Sequence, residues 1–258
     1  MPTELTHHEQ STGSVRVWGH RARLGLIVPT TNTVNEAEWA AMVPDGVTVH
    51  SARMTLHHYK DSDSVDGLPD SLAEGIAALT PADMSCIAYG CTAGSMINPV
   101  EALPAAMAAA ANCPCTSTAA SIVAALHALE ATRIAIATPY HDGLNQHEVA
   151  FLNEQGVQVT AIAGLGIGAG GPQEYAQLAH LSQDTVRKHA TQTFRSAPAE
   201  ALLLSCTDMP TLPLISELEH ELGVPVISSN TATLWRALSL AKVATPVTGA
   251  GALLAQHR

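Results

Sequence analysis

The sequence predicts an α/β protein of two pseudo-symmetric lobes, each a mainly parallel sheet flanked by helices, with a cleft between them. Three observations lead there. Apolar runs bounded by turn residues recur at strand length through the chain. Helix-length stretches alternate with them, the rhythm of a parallel sheet covered by helices on both faces. The two halves also share a junction, an apolar strand ending in Gly90-Cys91-Thr92 in one and in Ser205-Cys206-Thr207 in the other.

The elements follow in order. A strand over 23–28 runs into Pro29-Thr30-Thr31-Asn32-Thr33 and then a helix over 35–42, whose opening Glu36-Ala37-Glu38-Trp39 puts acids in the first turn. Strands over 47–54, 84–90 and 113–117 complete the first lobe, with helices over 71–79 and 119–129. The second lobe repeats the pattern: strands over 133–138, 157–163, 201–205 and 224–228, and helices over 144–154, 175–194 and 212–222. The glycine-rich run from Gly164 to Gly171, five glycines in eight residues, reads as a flexible lid. The chain therefore divides into a polar tail (1–20), an N-terminal lobe (21–130), a C-terminal lobe (131–230) and a terminal segment (231–258) returning to the first lobe.

Composition removes several function classes. Twelve Lys plus Arg against 23 Asp plus Glu give a formal charge of −11, the wrong sign for nucleic acid or an anionic membrane. Aromatic residues make up 3%, too few for base-stacking platforms. Residues 1–20 lack the apolar core of a secretory signal, and the small-apolar stretch 102–111 is too short to span a bilayer, so a cytoplasmic protein with no membrane partner is expected. Five cysteines, an odd number, argue against a disulfide framework. Cys113-x-Cys115 lacks the spacing and second pair of a zinc site, and the thirteen His, among them His57-His58, His141, His147, His180 and His189, show no ligand spacing; no metal is expected.

Chemistry concentrates at strand ends. Cys91 and Cys206 each sit where a strand hands over to a helix, where free N–H groups and the helix dipole would lower a thiol pKa and make a nucleophile or base. A buried Cys more often packs as a small hydrophobe, and that plainer role suits Cys86, Cys113 and Cys115. Asn32 either caps the following helix or turns its amide toward a carboxylate. Tyr140 either roofs the core or donates its phenol to a substrate oxygen. Ser228-Ser229-Asn230-Thr231 reads as a helix cap. Gly166, Gly168 and Gly171 match G-x-G-x-x-G, but Pro172 follows at once and no strand-terminal acid lies about twenty residues on, which disfavours a dinucleotide loop.

Taken together, Pro29-Thr30-Thr31-Asn32-Thr33, Gly90-Cys91-Thr92-Ala93-Gly94-Ser95, Thr138-Pro139-Tyr140, Leu204-Ser205-Cys206-Thr207 and the segment 222–235 resemble the aspartate/glutamate racemase superfamily, in its branch of maleate cis-trans isomerases and arylmalonate decarboxylases. The resemblance implies an active site between the lobes, no cofactor, and a homo-oligomer. It implies catalytic roles for Cys91, a position the decarboxylases fill with Gly, and for Cys206, with Asn32, Thr31, Thr92, Ala93, Tyr140 and Thr207 binding a small dicarboxylate or other carboxylic acid. The Gly run stands where the isomerases usually carry another Asn, and there the chain is closer to the decarboxylases. The expected reaction is maleate-type isomerisation, with Cys91 as nucleophile and Cys206 as acid and base. Two-cysteine racemisation and decarboxylation are the alternatives within the same site; a non-catalytic anion or nucleotide binder is the alternative outside it.

Overall fold

A computed structural model describes residues 16–55 and 68–256. His57-His58 and most of the polar tail lie outside them. The first sheet contains β1 (Ala22–Pro29), β2 (Val47–Met54), β3 (Cys86–Tyr89) and β4 (Cys115–Ser117) in the order β2-β1-β3-β4. The second contains β5 (Arg133–Tyr140), β6 (Gln158–Ile167), β7 (Ala201–Leu204) and β8 (Val226–Ser228) in the matching order β6-β5-β7-β8. Every pairing is parallel. In each sheet the winding reverses between its first and third strands, and a crevice opens at the C-terminal ends of such a pair. Asn32 and Cys91 follow β1 and β3; Tyr140 ends β5 and Cys206 follows β7.

The helices are α1 (Asn35–Met42), α2 (Asp70–Leu79), α3 (Ala102–Ala111), α4 (Thr118–Ala128), α5 (Asp142–Glu154), α6 (Gln183–Arg195), α7 (Ile215–Leu222), α8 (Ser229–Leu240) and α9 (Ala252–Ala255). Three departures from the sequence pattern have local causes. Residues 102–111 form a helix despite Pro104, which sits in the first turn where its missing N–H costs nothing; Asn112 ends the helix in the left-handed conformation. The expected helix over 175–194 is two elements, a 3₁₀ stretch Pro172–His180 and α6, because Ser182 caps α6 by accepting from Thr185 N–H. The Gly run is only partly a loop, since Gly164 to Ile167 extend β6. Ser228 does cap α8, in a reciprocal capping box with Thr231.

Packing crosses between the sheets. The helix α4 leaves β4 of the first sheet, yet Ala119, Ile122 and Leu126 pack with Ile134, Ile136 and Leu203 of the second. In return α8 leaves β8, and Leu234, Ala237 and Leu238 pack with Leu24, Leu26 and Ala88 of the first. Polar contacts reinforce the exchange. The fully buried Trp39 donates its indole N–H to Asn230 O at 3.1 Å. The carboxylate of buried Glu38 accepts from Thr211 N–H (2.6 Å), Leu212 N–H (2.7 Å) and the Asn230 amide (2.7 Å).

Candidate active site

Both thiols lie buried where the lobes meet, Cys91 at 7% exposure and Cys206 at 2%. The loops that carry them are bonded directly. Thr207 Oγ1 donates to Gly90 O at 3.2 Å and accepts from Asn32 Nδ2 at 3.0 Å. Asp208 Oδ1 accepts from Thr33 N–H (2.8 Å) and Val34 N–H (3.2 Å), and Thr92 Oγ1 donates to Ser229 Oγ at 2.8 Å. The residue before one cysteine thus touches the residue after the other, and the charge of Cys91 helps raise Cys206.

The surroundings of the two sulfurs repeat one pattern. Cys91 receives hydrogen bonds from the Tyr89 phenol and the Gly94 N–H; Cys206 receives them from the Tyr140 phenol and the Asp208 N–H, the latter at 3.4 Å. Tyr89 reaches Cys91 because side chains two apart on an extended chain share a face. Gly94 is required by crowding, since a Cβ there would come within 2.5 Å of the Tyr89 hydroxyl and 3.0 Å of the Cys91 sulfur. Ser95 ties the loop down, donating to Cys91 O at 2.6 Å and accepting from Ala119 N–H at 2.9 Å. In the other lobe Thr138 Oγ1 donates to Asn145 and accepts from Tyr140 N–H, fixing Tyr140 in place.

Electrostatics differ between the pair. Burial raises both thiols, with phenol and N–H donation pulling back; Cys206 is pushed up to about 12, and the Asp208 carboxylate adds repulsion that Cys91 lacks. The first proton lost from the pair therefore comes from Cys91. Burial, then the nearness of Cys206, raises Tyr140 well above its usual range, so its phenol stays a donor. Behind Cys206, buried Glu148 accepts from the Ser205 hydroxyl, and burial lifts its carboxyl to about 8.

A family profile for arylmalonate decarboxylase matches residues 24–254. The chain belongs to the arylmalonate decarboxylase family. Within it the chain is 31% identical over 225 residues to an arylmalonate decarboxylase of Bordetella bronchiseptica, covering 84% of this chain and 90% of that protein. It is 30% identical over 252 residues to a maleate isomerase of Geobacillus stearothermophilus, covering 90% and 96%. Among solved structures, a maleate cis-trans isomerase mutant of Nocardia farcinica with a covalently bound succinylcysteine intermediate superposes with a TM-score of 0.79, at 26% identity and covering 92% and 99% of the two chains.

The fold of this family brings together Asn32, Cys91, Thr92, Tyr140, Cys206 and Thr207, all buried, with Ala93 partly buried; Thr31 is exposed in the same loop. Asn32 takes the capping role, its Oδ1 accepting from Val34 and Asn35 N–H, while its amide donates across to the Thr207 hydroxyl of the other lobe. One expectation fails. Neither cysteine opens an α-helix: Cys91 precedes a 3₁₀ turn, Ala93–Ser95, and α7 begins nine residues after Cys206, at Ile215. No helix dipole lowers either thiol, and burial raises both instead. Cys86 and Cys115 are buried and Cys113 partly so, Cys86 in one apolar cluster and Cys113 and Cys115 in another, as expected of structural thiols. Sequence reasoning missed Tyr89, which reads as one more apolar strand residue, and Asp208, which reads as a turn acid. The signals were there, a phenol two residues before one cysteine and a carboxylate two after the other. No group of three or more His, Cys, Asp or Glu fit to hold a metal occurs among the described residues. A cavity of about 450 Å³ between α5 and β6, lined by Asp142, Asn145, Asn153 and Ile162, includes none of the expected site residues.

Proposed function

We propose that this enzyme is a cofactor-independent cis-trans isomerase of a small cis-enedioate such as maleate, with Cys91 as nucleophile and Cys206 as acid and base. The observation that carries this reading is the paired environment: two thiols buried where the lobes meet, each with a phenol and a backbone N–H, and only Cys206 beside a carboxylate. The maleate isomerase relatives and the succinylcysteine intermediate of the Nocardia protein support it.

In this mechanism the Cys91 thiolate forms a C–S bond at one alkene carbon, and the π electrons move onto the adjoining carbon and its carboxylate. Cys206 gives that carbon its proton. The former double bond is then single, and rotation about it is easy. Cys206 takes the proton back, the electron pair re-forms the double bond, and the Cys91 sulfur leaves with its electrons to give the trans product. Asn32 Nδ2 and Thr92 Oγ1, which bond Thr207 and Ser229, are the donors that a carboxylate would take over, with Tyr140 and the N–H groups after each cysteine holding the developing charge.

The test is product NMR after incubation with maleate in heavy water. Fumarate should appear with wild type and not with Cys91→Ala, while Cys206→Ser should accumulate a covalent adduct on Cys91, seen by mass spectrometry. Turnover of maleate by folded Cys91→Ala would refute the assignment. The decarboxylase alternative is supported by the family profile and the Bordetella relative, and predicts carbon dioxide release from arylmalonates. As the finer part of this proposal, the enzyme works in the cytoplasm as a homo-oligomer, to be checked by cell fractionation and light scattering. Among the described residues no helix is long and apolar enough to cross a membrane.

A further inference from the structure

The mechanism leaves one group near the sulfurs unused. Tyr175 lies in the 3₁₀ stretch Pro172–His180, partly buried, and its ring packs against the cluster that contains Tyr140 and Cys206. Two features set its position. Gly168 lies under the ring at φ +95°, and a Cβ there would fall 2.6 Å from ring carbon Cε1 and 3.2 Å from the hydroxyl. The neighbouring Glu174 carboxylate accepts from Gly168 N–H (2.7 Å) and Gly170 N–H (3.2 Å), tying the turn to the glycine run. The glycines thus form a seat for an aromatic ring. The Tyr175 hydroxyl makes no hydrogen bond to any described residue, and its charge would be felt by both Cys91 and Cys206. Burial and those sulfurs disfavour its ionisation, so it remains a donor.

A dicarboxylate has two ends. Asn32 and Thr92, joined to Thr207 and Ser229, supply donors from the first lobe; the second lobe adds the uncommitted phenol of Tyr175. We infer that Tyr175 is a specificity residue, whose hydroxyl donates to the second carboxylate of the substrate and so selects diacids over monoacids. This rests on the isomerase reading for its substrate class.

Protection of Cys91 from iodoacetamide at alkaline pH measures binding without turnover. In wild type, succinate should protect at much lower concentration than propionate. Tyr175→Phe should weaken succinate protection about tenfold, the size of a lost hydrogen bond to a charged group, and leave propionate protection within about twofold. Gly168→Ala, which displaces the ring, should reproduce the loss. With maleate as substrate, KM should rise in Tyr175→Phe by more than kcat falls. Succinate protection unchanged in Tyr175→Phe, or absent in wild type, would overturn the inference. Should wild type fail to isomerise maleate while the selective loss of succinate protection is seen, the isomerase assignment falls and the role of Tyr175 stands.

Discussion

A thiol that must hold and release a proton within one catalytic cycle is governed by the few atoms touching its sulfur. At Cys91 those are the Tyr89 phenol and the Gly94 N–H, set against burial. Because burial raises Cys91 above the usual 9.0, alkylation of the free enzyme should speed up with pH through the neutral range and level off only above 9.0. A plateau reached at or below neutrality would contradict that account. Tyr89→Phe removes the phenol donor, so the plateau should move to higher pH, and alkylation at a fixed lower pH should slow by about tenfold for each unit moved. Tyr89 was not legible in the sequence, because a phenol inside an apolar strand looks the same whether it packs or donates. Cys91 and Cys206 were legible because their junctions repeat, although the helix thought to activate them belongs elsewhere.

At the level of elements, the strands were read from their apolar runs with ends displaced by a few residues, since a parallel strand covered on both faces carries its signal in composition alone. What composition does not encode is which sheet a helix joins, so the crossing of α4 was invisible. The turn at 91–95 gives a prediction of its own. Gly94→Ala forces the Tyr89 hydroxyl and the Cys91 sulfur apart on a loop anchored by Ser95, so kcat/KM should fall by about a hundredfold while the melting temperature changes little. A variant equally impaired in both would place the defect in folding. The helix α5 supplies another test through Glu148. Its carboxyl is raised from 4.5 to about 8, so the folded state keeps a proton that the unfolded state has lost. Between those values stability must fall with rising pH, by roughly 1.4 kcal/mol per unit at most for one group. Glu148→Gln should therefore gain stability over wild type as pH rises from 4.5 to 8, in urea unfolding at matched pH. An advantage that shrinks over that window would show that the carboxyl is ionised in the native protein.

For the whole molecule, Glu38 joins the lobes at three points, α1, the 211–212 turn and the start of α8. Glu38→Ala leaves buried donors without an acceptor and should cost on the order of 3 kcal/mol in urea unfolding, as one cooperative transition. Two separated transitions would mean that the halves fold independently. The reciprocal packing of α4 and α8 bears on how substrate gets in. Each half has its last long helix mortared onto its neighbour's sheet, so opening the pair like the covers of a book would tear apart two apolar layers at once. Entry must come from a small piece at the mouth.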